Sequence, residues 1–320
     1  MPELPEVQTV VNDLNEKIVG DTIVDFWSEW PKAIKNKTLK NFQKEIVNRK
    51  ILGVRRIGKN MFVDLSGGKT MYIHLKMTGH LLVKFQNPPT PPQPSPEYRG
   101  GGRNYFDDRV NQYIRHKWFL KSKIKNLKFN QNSKPASPAG RLEIQNYDKT
   151  LEFSDMRKFA KIVLDDTGKI NNLKEIQALG VDALSPEFTF KKFQEILSKK
   201  SKGQIGIILL DQNLIAGIGN IYRSEILFEA GILPERRIEK ITISERKKLH
   251  IAILKILKKA VKLRGTSDSD YRDTAGAPGG FQKVLRVYRK EKQKCQNCDT
   301  IVQRKTLGQR SVFFCPKCQK

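Results

Sequence analysis

All four cysteines lie in the last 26 residues of the chain, as two Cys-x-x-Cys pairs: Cys295 with Cys298, and Cys315 with Cys318. Thiolates at this spacing, each pair on a tight turn, suit a tetrahedral site for one structural zinc ion. The alternative is a pair of disulfides, which needs an oxidising compartment. The first residues, MPELPEV, carry acids and prolines where a secretory leader needs a basic start and an apolar run. One Zn2+ in a reducing cytosol is therefore the expectation.

The N-terminus offers a second chemistry. Pro2 follows Met1 and is small enough to permit its removal, which leaves a free secondary amine. An α-amino group titrates at about 7.7 to 8.0, so a sizeable neutral fraction exists at cellular pH. Such an amine attacks an aldehyde-like carbon, and the resulting iminium is cationic without a proton, an electron sink suited to elimination. Glu3 and Glu6 follow, placed for proton transfer. The same residues also read as structure, with Pro2 entering a helix and the glutamates facing its dipole. A third segment, LIAGIGNIY from Leu214 to Tyr222, has Gly217 and Gly219 for close backbone approach. Asn220 then starts a helical run whose N-terminus would face a phosphate; a packing corner is the competing reading.

Charge narrows the partner. The 320 residues include 60 Lys+Arg against 33 Asp+Glu, a formal net charge of +27. Such an excess favours a polyanion, because each neutralised phosphate releases condensed counterions. A basic solvated surface or anionic lipid are the alternatives, but the glycine turn and cysteine pairs in the same half favour DNA. With 38% apolar and 29% charged residues, collagen-like and wholly disordered classes are excluded. The longest apolar runs, near Ile205 to Leu210 and Ile251 to Leu257, fall short of the roughly 20 residues of a membrane span. We expect a soluble chain of one large or two modest domains with no membrane partner.

The elements that position these residues follow from periodicity. Leu4 to Gly20 reads as a helix with Val7, Val10, Val11, Leu14 and Ile18 on one stripe. Thr22 to Trp27, Glu45 to Ile57, Met61 to Leu65, Thr70 to Leu75 and Leu81 to Phe85 read as strands of a sandwich or barrel-like sheet. Asn87 to Gly102 is Pro/Gly-rich and Lys121 to Gly140 is Lys/Asn-rich, and both read as insertions. Between and beyond them, Val110 to Leu120 and Leu151 to Asp165 read as strands. From about Leu173 the period turns helical, with Thr242 and Glu245 in a capping-box pattern. A polar loop from Gly265 to Gly280 precedes the cysteines.

MPELPEV, RRIGKN around Lys59, HLKMTG from His74 to Gly79, DMRKF from Asp155 to Phe159, AGIGNIYRSEILFEAGI, and Gln309-Arg310 before the second cysteine pair occur in this order. Together they resemble formamidopyrimidine-DNA glycosylase over nearly the whole chain, the insertions excepted. The resemblance implies an α+β fold: an N-terminal β-sandwich domain with a leading helix, then a helix-two-turn-helix domain with a zinc ribbon. It divides the chain into a catalytic domain (1–165, insertions at about 87–108 and 121–140), a linker (166–184), a helix-two-turn-helix domain (185–264), a lesion-capping loop (265–281) and a zinc finger (282–320).

The function implied is a bifunctional glycosylase and AP lyase that excises oxidised purines such as 8-oxoguanine from duplex DNA and cleaves the strand by β,δ-elimination. Pro2 would be the nucleophile that forms the Schiff base at C1′. Glu3 would be the acid/base for sugar opening, and Lys59 would hold a phosphate and assist elimination. Met77, Arg157 and Phe159 would fill the void left by the extruded nucleotide, as apolar wedges and an orphan-base partner. His74, Asn220 and Arg310 would pinch the backbone, and amides around Ser269, Asp270 and Tyr271 would read the lesion. The implied protein is a monomer in the cytoplasm, associated with the nucleoid.

Two departures bear on substrate. Asn213 stands where many members carry Lys, and Asp268, Asp270 and Asp273 bring unusual negative charge to the lesion loop. The competing functions are an endonuclease VIII-like enzyme for oxidised pyrimidines and a non-catalytic zinc-containing binder of damaged DNA. The loop and Leu4 speak against the first, and intact Pro2, Glu3 and Lys59 against the second.

Overall fold

The computed structural model describes residues 2–86, 105–122 and 147–320. Most of the two insertions expected from sequence lies outside the described residues, as does Met1. The chain opens with helix α1 (Leu4–Ile18), entered through a proline and carrying its apolar stripe inward. It continues through β1 (Thr22–Ser28), α2 (Leu39–Ile46), β2 (Ile51–Ile57), β3 (Asn60–Leu65), β4 (Lys69–His74), β5 (His80–Phe85), β6 (Ile114–Lys121), β7 (Lys149–Ser154) and β8 (Lys161–Asp166). These strands form two four-stranded antiparallel sheets, ordered β1-β6-β7-β5 and β2-β3-β4-β8. Alternate side chains from both sheets meet α1 and α2 in one core that includes Phe26, Phe42, Met61, Ile73, Trp118 and Phe153.

Three stretches differ from the sequence reading. The run from Glu45 to Ile57 is not one strand: Leu39–Ile46 is helical, capped by Thr38, and the strand starts only at Ile51. Phe42 and Ile46, four residues apart, are both buried, which is the helical period. The run from Val110 begins as a 3-10 turn at Arg109–Gln112 and becomes extended at Ile114. Leu151 to Asp165 is two strands in different sheets, β7 and β8, joined by the bend Asp155–Ala160.

The expected linker is folded, into α3 (Thr167–Asn171), α4 (Lys174–Gln177) and β9 (Val181–Asp182). Then follow α5 (Phe190–Ser198), α6 (Ile205–Ile208), β10 (Ile215–Ala216), α7 (Asn220–Ala230), α8 (Ile243–Lys262), β11 (Gln303–Leu307) and β12 (Arg310–Phe314). The Thr242 and Glu245 capping box starts α8 as the sequence suggests. A second core joins these helices to Leu4 at one end and to Cys295, Phe313 and Cys315 at the other. The zinc module is therefore packed onto the helices rather than tethered. Among the described residues no helix is long and apolar enough to cross a membrane.

Candidate active site

The segment Ile215–Asn220 brings the two halves together. Leu4 donates its backbone N–H to the Gly217 carbonyl at 3.1 Å. The Glu3 carboxylate caps α7, accepting from the N–H groups of Gly219 at 2.8 Å and Ile221 at 2.9 Å. A Cβ on Gly217 would lie 2.4 Å from Leu4 Cδ1, and one on Gly219 would lie 2.3 Å from Glu3 Cδ. The glycines thus make room for the N-terminal segment. This corrects the expectation of an α7 N-terminus open to phosphate, because its first amides are already spent on Glu3. Pro2 and Glu3 are both buried at this junction. Burial pushes the Glu3 carboxyl above its usual range, opposed by Lys59 and the α7 amides.

Lys59 follows the β2–β3 turn at Gly58, whose φ is +57°. Its ammonium donates to the Ile218 carbonyl at 3.0 Å. Burial holds its pKa below the ordinary lysine value, against the pull of Glu3 and Glu6. The turn is clamped by Asp182, which accepts from Gly58 N at 2.6 Å and pairs with Arg56. Glu6 lies beneath, accepting from Glu3 N at 2.7 Å, Tyr222 Oη at 2.5 Å and Thr266 N at 2.7 Å. Its carboxyl is pushed up to about 7, first by burial and then by the neighbouring Glu3.

Met77, Arg157 and Phe159 form one exposed group. Met77 is 40% and Phe159 50% exposed, large values for apolar side chains flanking a core. Arg157 stacks over the Phe159 ring at 4.8 Å and reaches Met77 Sδ at 3.3 Å. His74 is half-buried and its pKa is pushed down to about 3 by burial and then by Lys76 and Lys59. Its Nδ1 accepts from Lys76 N at 2.9 Å, so the neutral ring carries its proton on Nε2, a donor for an anion.

The loop 265–281 packs back on both halves. Ser269 is exposed and Asp270 half-exposed, but the Tyr271 side chain is buried in the N-terminal core. The Tyr271 carbonyl accepts from Ser267 Oγ at 2.7 Å. The acids expected to face DNA are largely neutralised: Asp273 pairs with Arg264 at 2.7 Å and Asp268 with Arg289 at 2.8 Å. Asn213 is exposed, its N–H bonded to Asp211 Oδ1 at 2.9 Å in a local turn.

At the C-terminal end, the four cysteine Sγ atoms lie within 4.8 Å of one another. Cys295 to Cys318 is 3.8 Å, and Cys298 to Cys315 is 3.5 Å. A tetrahedron with Zn–S bonds of about 2.3 Å has edges of about 3.8 Å, so the thiols fit one structural Zn2+. Gly308 and Gln309, both at positive φ, turn β11 into β12 and present Arg310. Arg310 and Asn220 line a cleft of about 800 Å³ with Tyr288, Arg289, Lys292 and Arg304.

Sequence reasoning missed the charged residues that hold this cleft. Arg223, buried in α7, donates to Gly206 O at 3.0 Å, Asn220 Oδ1 at 2.6 Å and Ser311 O at 2.9 Å. Glu225, also buried, accepts from Val287 N and Tyr288 N at 2.9 Å. Their signal was available, as charges set among Ile221, Tyr222, Ile226 and Leu227 of α7, because an ionised side chain is buried only when it is paired.

Family models place this geometry. The formamidopyrimidine-DNA glycosylase N-terminal domain matches residues 1–162, the helix-two-turn-helix domain of that enzyme 179–271, and a zinc finger found in FPG and IleRS 292–320. The formamidopyrimidine-DNA glycosylase of Carboxydothermus hydrogenoformans is 35% identical, covering 100% of both chains. The Lactococcus lactis Fpg in complex with abasic-site DNA is 28% identical, with a TM-score of 0.77 and 99% of each chain covered. The wild-type Lactococcus lactis enzyme with DNA containing an oxidised pyrimidine gives a TM-score of 0.76 at 28% identity, covering 100% of each chain. With its sandwich, helical and zinc modules in family order, the chain belongs to the formamidopyrimidine-DNA glycosylase family and is a zinc-containing DNA glycosylase of base excision repair.

Proposed function

We propose that the protein excises oxidised purines, 8-oxoguanine and formamidopyrimidines, from duplex DNA and then cleaves the strand as an AP lyase. The observation that carries this reading is the meeting of Pro2, Glu3 and Lys59 at one buried junction, with Glu3 fixed by the α7 amides. The Pro2 nitrogen bonds to C1′ as the base departs with the glycosidic electron pair, and the proton shed by the amine balances the one the base takes up. Glu3, its pKa raised by burial, supplies the proton that opens the sugar ring. The iminium then accepts electrons as a C2′ proton is lost and the 3′-phosphate leaves; the 5′-phosphate follows in the second elimination. Lys59 steadies a phosphate in these steps.

Met77, Arg157 and Phe159 fill the space of the extruded nucleotide, and His74, Asn220 and Arg310 grip the backbone. Amides around Ser269, Asp270 and Tyr271 read the base. In this division residues 1–165 carry the chemistry, 166–184 connect, 185–264 and 282–320 bind DNA, and 265–281 cap the lesion. The protein works as a monomer in the cytoplasm, on nucleoid DNA. A second reading, in which oxidised pyrimidines are also substrates, is favoured by the Lactococcus lactis structure with such DNA.

Borohydride trapping on duplexes carrying either lesion tests both. An adduct with 8-oxoguanine that is abolished by blocking the N-terminus supports the main reading. Adducts with both lesions support the second, adduct with the pyrimidine lesion alone overturns the main reading, and tight binding with no adduct on any lesion overturns both.

A further inference from the structure

The void-filling group and the 265–281 loop come from distant parts of the chain, yet one buried path of hydrogen bonds, with the backbone from Thr78 to His80 as one link, joins them. Arg157 donates its backbone N–H to Thr78 Oγ1 at 3.1 Å. The Thr78 carbonyl lies 3.2 Å from His80 Nδ1, and His80 Nε2 lies 2.8 Å from Asn111 Oδ1. Asn111 Nδ2 then donates to Tyr105 O at 2.7 Å and to Gly276 O, in the loop, at 3.1 Å. Both amide protons of Asn111 are committed to carbonyls, so its oxygen faces the ring and Nε2 is the protonated nitrogen. His80 and Asn111 are each 1% exposed.

The loop is built to accept this contact. Gly276 has φ +78°, and a Cβ there would lie 2.6 Å from Asn111 Nδ2. Arg272 pairs with Asp108 at 2.8 Å, and Val83 N donates to Thr274 O at 2.8 Å. The mechanism above uses none of these residues.

We propose that Asn111 is a positioning residue that holds the 265–281 loop in register with the exposed Met77 and Arg157. Base capture and void filling are thereby set by one rigid path. The inference rests on the capping role proposed for the loop. An abasic site presents no base to cap, so the two reactions of the enzyme separate this role from a purely structural one.

Asn111→Ala is expected to slow 8-oxoguanine excision about tenfold in single turnover while leaving trapping at a preformed abasic site within about twofold of wild type. Hydrogen exchange of the amides of residues 272–280 should accelerate in the free variant. Asp108→Ala, which removes the partner of Arg272 from outside the loop, should show the same split with a smaller effect if Asn111→Ala does not fold. A parallel loss of both reactions, or an unchanged excision rate with unchanged exchange, overturns the proposal. Failure of the wild type to excise any lesion would instead sink the glycosylase reading of the site, and the exchange measurement would still decide whether Asn111 holds the loop.

Discussion

Glu3 accepts a hydrogen bond from the Ile221 amide at 2.9 Å, so the residue next to Pro2 is positioned by a helix of the other half of the molecule. The helix N-terminus favours the anion while burial favours the acid. Here burial prevails and the carboxyl titrates above its usual range. The contact exists only because Gly219 has no side chain. Gly219→Ala should displace Glu3 and lower trapping at an abasic site by about 30-fold, a loss of about 2 kcal/mol. In a Glu3→Gln background the same change should add little, since the two act on one contact. Independent, multiplying losses would show that Gly219 serves another purpose.

Glu6 makes stability depend on pH in an unusual direction. Its carboxyl is pushed up to about 7 by burial and by Glu3, from 4.5 in an unperturbed chain. Between these values the folded state binds more protons than the unfolded one, so stability from this group is full below about 4.5 and lost as pH rises through about 7. Glu6→Gln should flatten the fall in Tm between pH 5 and pH 8. An identical slope in wild type and variant would remove Glu6 as its source.

The zinc module should fail as a unit. The Cys295, Cys298, Cys315 and Cys318 thiols converge, and Arg223 and Glu225 fasten the surrounding backbone to α7. Chelation should release about one Zn per chain and weaken DNA binding, because metal-binding energy is folding energy in such modules. DNA affinity unchanged after complete zinc removal would contradict this.

Arg310 tests the charge argument directly. If it contacts one phosphate in the cleft it shares with Asn220, Arg310→Ala should weaken binding to damaged and undamaged duplex alike. The slope of log affinity against log salt should fall by about 1. A loss confined to damaged DNA would assign Arg310 to the lesion instead.

Much of this arrangement was legible in the sequence, for identifiable reasons. The cysteine spacing, the α1 stripe and the Thr242 capping box are local signals, and the structure shows a four-thiol cluster, a helix and a cap there. What was hidden is long-range. The glycine turn reads as a phosphate cradle until Glu3 is seen to fill it. The acids of the 265–281 loop read as exposed charge until Arg264 and Arg289 are seen beside them. Helix α2 was lost because its two core contacts, Phe42 and Ile46, precede a strand rich in the same residue types. Asn111 was invisible, since a buried Asn draws its meaning from partners at Tyr105 and Gly276.

His116 sets the acid limit of the sandwich. It is fully buried between Phe26 and Phe153, and neither ring nitrogen has a hydrogen-bond partner. Burial pushes its pKa down to about 3, with Arg115 adding to the shift. In the unfolded chain the ring titrates near 6.5, so below that pH the unfolded state gains a proton the folded state refuses. The stability contributed by neutral His116 is thus present above about 6.5 and lost as pH falls toward 3. His116→Phe removes the cost of the two unsatisfied nitrogens and the proton uptake together. The variant should be more stable than wild type in urea at pH 5.0, with a smaller difference at pH 7.5. His74, also depressed to about 3, will leave some residual acid sensitivity. Equal wild-type and variant midpoints at pH 5.0 would mean that a buried water or a local opening already satisfies the ring.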